Sequence, residues 1–157
     1  MFLIFSTLAL LSGFALDLLL GDPQGWPHIV RAFGALIVWL EKRLYPVRNK
    51  RLGGTILVIV TLLICTLVPA AILFGAYKLS VWVYFGLETL LVWQLLAVKS
   101  LRVESGRVYD ALASSDLPAA RKAVSMIVGR DTNALDAQGI TRAAVETVAE
   151  NASDGVG

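Results

Sequence analysis

Two kinds of hydrophobic spacing divide the chain. Up to about residue 98 apolar residues run in long, nearly unbroken blocks; from Lys99 onward they recur every three or four positions among polar residues. Blocks of that length suit helices solvated by lipid, and the later spacing suits amphipathic helices in water. The first block predicts a membrane helix over about 2–20. No Lys or Arg precedes it and no small-x-small site follows, so it reads as a retained helix and not a signal peptide. Leu52 to Tyr77 is the clearest crossing, with Pro69 inside it as the expected site of a kink. Ser80 to Val98 makes a second crossing, interrupted by Glu88 and Gln94, and the pair reads as a hairpin over 52–98 turning at Tyr77-Lys78. Between the blocks, residues 27–44 carry Ile29, Phe33, Leu36, Ile37, Leu40 and Leu44 at helical spacing. Arg31, Glu41, Lys42 and Arg43 make this segment an interfacial helix and not a span.

The water-facing third begins with a helix marked by Leu101, Val108 and Leu112. A second follows Asp116 as N-cap, with Pro118 in its first turn and Gly129 at its end. Asp136 is placed to cap a last helix over about 137–151. The organisation is therefore a membrane region over 1–98 and a helical cytoplasmic region over 99–157, expected to be incomplete at its C-terminus. The fold class is all-α, a polytopic helical membrane protein with cytoplasmic amphipathic helices.

Composition supports this division. Of 157 residues 57% are hydrophobic and 17% charged, with net charge +2, and residues 52–76 carry no charge at all. So small a charge argues against nucleic acid as a partner; the lipid bilayer is the partner this composition demands. Lys42, Arg43, Arg48, Lys50 and Arg51 precede the hairpin, and Lys99, Arg102 and Arg107 follow it. By the positive-inside rule both open ends are cytoplasmic. The single cysteine, Cys65, lies in an apolar run and offers packing, not a disulfide.

Four places could carry chemistry. Asp17 and the turn Gly21-Asp22-Pro23-Gln24-Gly25-Trp26-Pro27-His28, with Arg31, put a histidine and an arginine at a helix start. This is an anion site or else a capped interfacial turn. Gly129-Arg130-Asp131-Thr132 is a connector in which Arg130 could clamp a phosphate or carboxylate, or in which Asp131 or Thr132 merely caps. Arg142, Glu146, Glu150 and Asp154 fall at steps of four, one stripe of a helix. The stripe is either a solvated face with an Arg142–Glu146 pair or a Mg²⁺ site built of hard oxygens. Glu88, alone in an apolar crossing, is either functional or bonded to Trp82 or Gln94. Asn151-Ala152-Ser153 is a chance match to the glycosylation sequon on the cytoplasmic side.

Taken in order, Asp17-Leu18-Leu19-Leu20-Gly21-Asp22-Pro23, Trp26-Pro27-His28 with Arg31, Val128-Gly129-Arg130-Asp131-Thr132, and Arg142 through Asn151 with Ser153-Asp154-Gly155 resemble the CobD/CbiB family of cobalamin-biosynthesis membrane proteins. Members of that family are longer and continue past the Asp-Gly with an apolar stretch and further membrane helices. This chain thus resembles an N-terminal portion, for which the missing C-terminal half or other late cobalamin-pathway membrane proteins would be partners. The resemblance implies a multi-pass protein of a bacterial or archaeal cell membrane with its active face in the cytoplasm. It also implies adenosylcobinamide-phosphate synthase chemistry: ATP-dependent joining of a carboxylate of the corrinoid adenosylcobyric acid to aminopropanol or aminopropanol phosphate. On that reading Glu146, Glu150, Arg130 and Asp131 are catalytic, with Asp131 orienting Arg130. His28, Arg31, Arg142 and Asn151 bind substrate or phosphate, and Glu146, Glu150, Asp154 and Asp22 hold Mg²⁺. Two other classes compete. A non-enzymatic AmpE-like sensor or scaffold would have no need of the Gly-Arg-Asp-Thr connector and the acidic stripe; a small transporter would use Glu88 and Asp17 inside the membrane.

Overall fold

The computed structural model describes residues 2–22 and 26–154, apart from the side chains of Phe2 and Asp154. It is helical throughout, with no strand among the described residues, and divides after Leu96 into two compact units. Three stretches are long and apolar enough to cross a membrane, Leu3–Leu20, Lys50–Leu79 and Val81–Ala113. The chain is a helical membrane protein. Helical bonding in the third stretch is interrupted at Leu96 and Ala97, and its apolar part is the portion before that break.

The first unit holds α1 (Phe2–Leu20), α2 (Ile29–Leu44), α3 (Lys50–Leu79) and α4 (Val81–Leu95). α1 ends on Gly21, whose φ of 69° lies in the left-handed region and whose N–H bonds Asp17 O at 2.8 Å. The hairpin turn is tighter than its sequence predicts: Tyr77 and Lys78 stay helical, and Ser80 alone makes the corner. Its N–H closes α3 on Ala76 O at 2.9 Å, and its Oγ accepts the Trp82 N–H at 3.2 Å to open α4. One residue therefore satisfies donors and acceptors at both helix ends.

α1 and α4 pack closely. Ala9, Gly13 and Asp17 are buried at four-residue spacing on α1, facing Tyr84, Thr89, Val92 and Trp93 on α4. Small residues at that spacing let two backbones approach where lipid supplies no hydrophobic drive. The approach is so close that a Cβ on Gly13 would lie 2.6 Å from Val92 Cγ1. Most of α3, by contrast, exposes Leu, Ile and Val, as a lipid-facing helix does.

The second unit holds α5 (Val98–Ala113), α6 (Leu117–Val124) and α7 (Ala137–Asp154) around Val108, Ala120, Val124, Ile140 and Ala143. α5 stops in a Schellman arrangement: Ser115 takes φ 57°, its N–H bonds Leu112 O, and the Asp116 N–H bonds Ala111 O. Both sequence-predicted caps are in place. Asp116 Oδ1 accepts from Ala119 N at 3.0 Å and Asp136 Oδ1 from Gly139 N at 2.7 Å. α6 is shorter than expected. It gives way after Val124 to tight turns (Met126 N to Ala123 O, Ile127 N to Val124 O) instead of running on to Gly129.

Candidate functional site

In the first unit, the described residues between α1 and α2 are tied to α4. The Trp93 indole donates to Gly21 O at 2.9 Å and its ring meets Trp26 edge-on at 6.2 Å. The Gln94 amide bridges the start of α2, its Oε1 accepting from Ile29 N and its Nε2 donating to Pro27 O, both at 3.0 Å. His28 is the N-cap of α2: Nδ1 accepts the Val30 N–H at 3.3 Å, which leaves the ring proton on Nε2, facing Asp22 Oδ1 at 3.4 Å. The next two amides, Arg31 and Ala32, bond His28 O. The Ile29, Val30 and Arg31 amides, which a helix N-terminus would otherwise offer an anion, are thus already satisfied by protein. The cavity lined by Gly21, Asp22, Trp26, Pro27, His28, Trp93 and Gln94 is about 10 Å³, room for one water. The geometry makes His28 and Asp22 a cap and its brace, and leaves Arg31 exposed, its guanidinium uncommitted among the described residues. Pro23, Gln24 and Gly25 lie outside the described residues.

Glu88 sits beside the Tyr84 hydroxyl, which also bonds Ser6 Oγ at 2.8 Å. Its neighbour is this tyrosine and not Trp82 or Gln94, since the Gln94 amide is committed to α2.

The second unit brings two of the sequence motifs to one groove. A cleft of about 360 Å³ is lined by Ile127, Val128, Gly129 and Arg130 from the connector and by Glu146, Thr147, Glu150 and Asn151 from α7. Arg130 Nη2 reaches Glu146 Oε2 at 3.1 Å, while Arg142 Nε meets Glu146 Oε1 at 2.7 Å. One carboxylate thus spreads two guanidinium groups, one from each motif. The Arg142 hydrogen bond, then that of Arg130, holds Glu146 below the usual carboxylate value, and Glu146 in turn raises Arg142. All three side chains are largely exposed, so solvent screens the trio and it orients groups more than it stabilises the fold.

Asp131 does not orient Arg130. Its Oδ1 accepts the Asn133 N–H at 2.9 Å, an Asx turn that shapes the connector, and Glu146 does the orienting instead. Thr132 is buried and donates to Arg121 O at 3.1 Å. Asn151 Nδ2 bonds back to Thr147 O at 2.9 Å, which leaves its carbonyl for the groove. Glu150 is exposed on the same groove with no side-chain partner among the described residues. The Asp154 side chain lies outside the described residues.

As arranged, Glu146 does not fit a Mg²⁺ ligand, because both its oxygens face guanidinium groups. No group of three His, Cys, Asp or Glu side chains gathers among the described residues, and Asp22 belongs to the first unit, paired with His28. Sequence reasoning passed over two positioning residues, Trp93 and Arg121, and took Gln94 only as a candidate partner of Glu88. Each acts on backbone groups far along the chain, a relation that spacing within one helix does not display.

The profile of the family described as CobD/Cbib protein matches residues 10–157. The chain belongs to the CobD/CbiB family. Among the curated members it matches is a Geobacter metallireducens protein, 47% identical over 151 residues, which covers 93% of this chain and 46% of that protein. A Listeria monocytogenes serotype 4b protein is 41% identical over 148 residues, covering 92% and 47% respectively. One from Halalkalibacterium halodurans is 41% identical over 149 residues, covering 95% and 47%. Each is named cobalamin biosynthesis protein CobD. The chain spans about half the length of the curated CobD/CbiB relatives it matches. No solved structure matches it.

Proposed function

We propose that this chain forms the N-terminal part of a cobalamin-biosynthesis ligase that joins a carboxylate of adenosylcobyric acid to aminopropanol or its phosphate at the expense of ATP. The observation that carries the reading is the groove in which Arg130 and Arg142 share Glu146, with Glu150 and the Asn151 carbonyl beside them. The groove offers two forked cations for oxyanions and one uncommitted carboxylate for an ammonium. The reaction needs both. A carboxylate oxygen attacks the terminal phosphorus of ATP to give an acyl phosphate and ADP. The amine nitrogen then attacks the acyl carbon, phosphate leaves, and the nitrogen loses its proton as the amide forms. Arg130 and Arg142 hold the carboxylate or phosphate oxygens, with Glu146 fixing their spread. Glu150 receives the substrate ammonium and takes up the proton it must shed to free its lone pair before attack, and the second proton leaves with the phosphate as the amide forms. Mg²⁺, when bound, would neutralise phosphate charge, and Asp154 is the sequence-predicted carboxylate left for it once Glu150 receives the ammonium. The basic flanks of the membrane hairpin support a cytoplasmic position for this face of a multi-pass protein, where ATP is available.

Glu150→Gln and Arg130→Ala, introduced at these positions in a full-length relative, test the reading in a ligation assay with purified corrinoid and amine. Each is expected to lower kcat/KM by about tenfold or more. Unimpaired turnover in both would remove the groove from the reaction.

A further inference from the structure

A second cleft of about 530 Å³ opens on the other side of the connector, lined by Pro118, Arg121, Lys122, Ser125, Arg130, Asp131, Thr132 and Asn133. Pro118, Arg121, Lys122 and Ser125 are spaced as one face of α6. Arg121 is built into this wall. Its Nε donates to Leu135 O at 2.8 Å, and its own carbonyl accepts from the buried Thr132 hydroxyl. The connector is thereby laced to α6, and the guanidinium is fixed by one edge while both Nη groups stay uncommitted among the described residues. The Lys122 ammonium is exposed and likewise makes no bond there. Arg130 lines this cleft as well as the first, so it stands on the partition between them. Against three cations there is one acid, Asp131, and one of its oxygens is taken by the Asn133 amide. The Ser125 hydroxyl on the rim is not free to donate, since it bonds Lys122 O at 2.8 Å.

We infer that this cleft binds the polyphosphate chain of a nucleotide, with Arg121 and Lys122 as binding residues and Arg130 orienting the terminal phosphoryl group toward the carboxylate in the neighbouring groove. A single carboxylate would leave most of these charges unused, whereas a polyphosphate spreads its charge over several oxygens. A lipid phosphate is disfavoured because Pro118 is the only apolar residue in the lining, and nothing there receives an acyl chain. The inference deepens the ligase reading and rests on it for the identity of the nucleotide.

The test is titration of this chain, in nanodiscs of neutral lipid, with tripolyphosphate and with ATP. Both are expected to bind, and Lys122→Glu to weaken each by about fivefold or more, since the exposed Lys122 ammonium makes no hydrogen bond or ion pair among the described residues whose loss would disturb the fold. Lys42→Glu makes the same charge change at a residue that does not line the cleft and is expected to leave binding within about twofold. Absence of tripolyphosphate binding at millimolar concentration, an equal effect of Lys42→Glu, or displacement by phosphatidylglycerol in the disc would each overturn the assignment. In the full-length enzyme Lys122→Glu is expected to raise KM for ATP with little change in KM for the amine. Normal ligation with an unchanged ATP KM would overturn the cleft and leave the ligase reading standing. Retained tripolyphosphate binding with no ligation would do the reverse.

Discussion

Replacing Gly13 by alanine should unfasten the pairing of α1 with α4, and the size of the effect follows from three distances. The new Cβ would meet Val92 Cγ1 at 2.6 Å, Val92 Cβ at 2.7 Å and Thr89 O at 3.0 Å. Rotation of the valine could relieve the first of these. It cannot relieve the other two, because one atom is fixed to the α4 backbone and the other belongs to it. Restoring carbon contacts to about 3.5–4.0 Å requires the helices to part by about 1 Å. Two hydrogen bonds cross the same seam, Ser6 Oγ to Tyr84 OH at 2.8 Å and Trp93 Nε1 to Gly21 O at 2.9 Å. An added ångström takes both beyond the range in which a hydrogen bond retains its strength. Overpacking of this kind costs about 1–3 kcal/mol, and each weakened bond about 1 kcal/mol. The better helix propensity of alanine returns about 1 kcal/mol. The net expectation is a loss of about 2–4 kcal/mol.

The assay is unfolding in mixed micelles titrated with SDS, followed by tryptophan fluorescence, since Trp93 and Trp26 report on the end of this seam. Gly75→Ala is the internal control. It lies in the interior of α3, and a Cβ there meets nothing within 4 Å, so it should be neutral or stabilising by up to about 1 kcal/mol. Equal stability of Gly13→Ala and Gly75→Ala would refute the close packing of α1 on α4.

Gln94→Leu keeps the volume but strips the start of α2 of its bridge, leaving the half-buried Ile29 N–H and Pro27 O without their partners. A loss of about 1–2 kcal/mol is expected, with faster hydrogen exchange specifically at the Ile29 amide; unchanged protection there would contradict the bridge. Glu146 is held below its ordinary value of 4.5 by Arg142 and Arg130, so its favourable contribution is full above that value and is lost as pH falls through its lowered folded-state value. Glu146→Gln should therefore lose a little stability at neutral pH and none at low pH, which flattens the acid limb below about pH 4.5. Acid titrations of the two proteins compared by circular dichroism check this, and superimposable acid limbs would count against the pairing.

How much of the fold could be read from the chain depended on the range of the interactions. The apolar blocks marked where the membrane helices lie, because length and lipid solvation act on each segment alone. Asp116 and Asp136 were legible as caps because an N-cap bonds an amide two or three residues ahead. The corner at Ser80 was missed by a few residues, since Tyr77 and Lys78 look like a turn only to someone who weighs polarity over helical continuity. The early end of α6 was missed because Ile127 and Val128 continue an apolar pattern that the backbone does not follow. The α1–α4 seam was invisible: nothing along one helix says that Gly13 will meet Val92 of another.

The acidic stripe of α7 shows the same limit at the level of chemistry. Steps of four put Arg142 beside Glu146, and that local pair is found. Spacing alone left the stripe open between a solvated face and a hard-cation site. What decides the character of Glu146 comes from outside α7, when Arg130 arrives from the connector to take its second oxygen. A carboxylate with two guanidinium partners is a poor ligand for a divalent cation but a firm spacer between two anion-binding forks. The same groove keeps its uncommitted acid one turn further on, at Glu150, where the incoming group is an ammonium on the ligase reading. On the proposed reading, charge in this groove is sorted by turn of the helix, with oxyanion recognition around Glu146 and cation recognition around Glu150. Exchanging the two functions would require moving Arg130, not altering the stripe, so the connector is the element on which the proposed specificity of the groove depends.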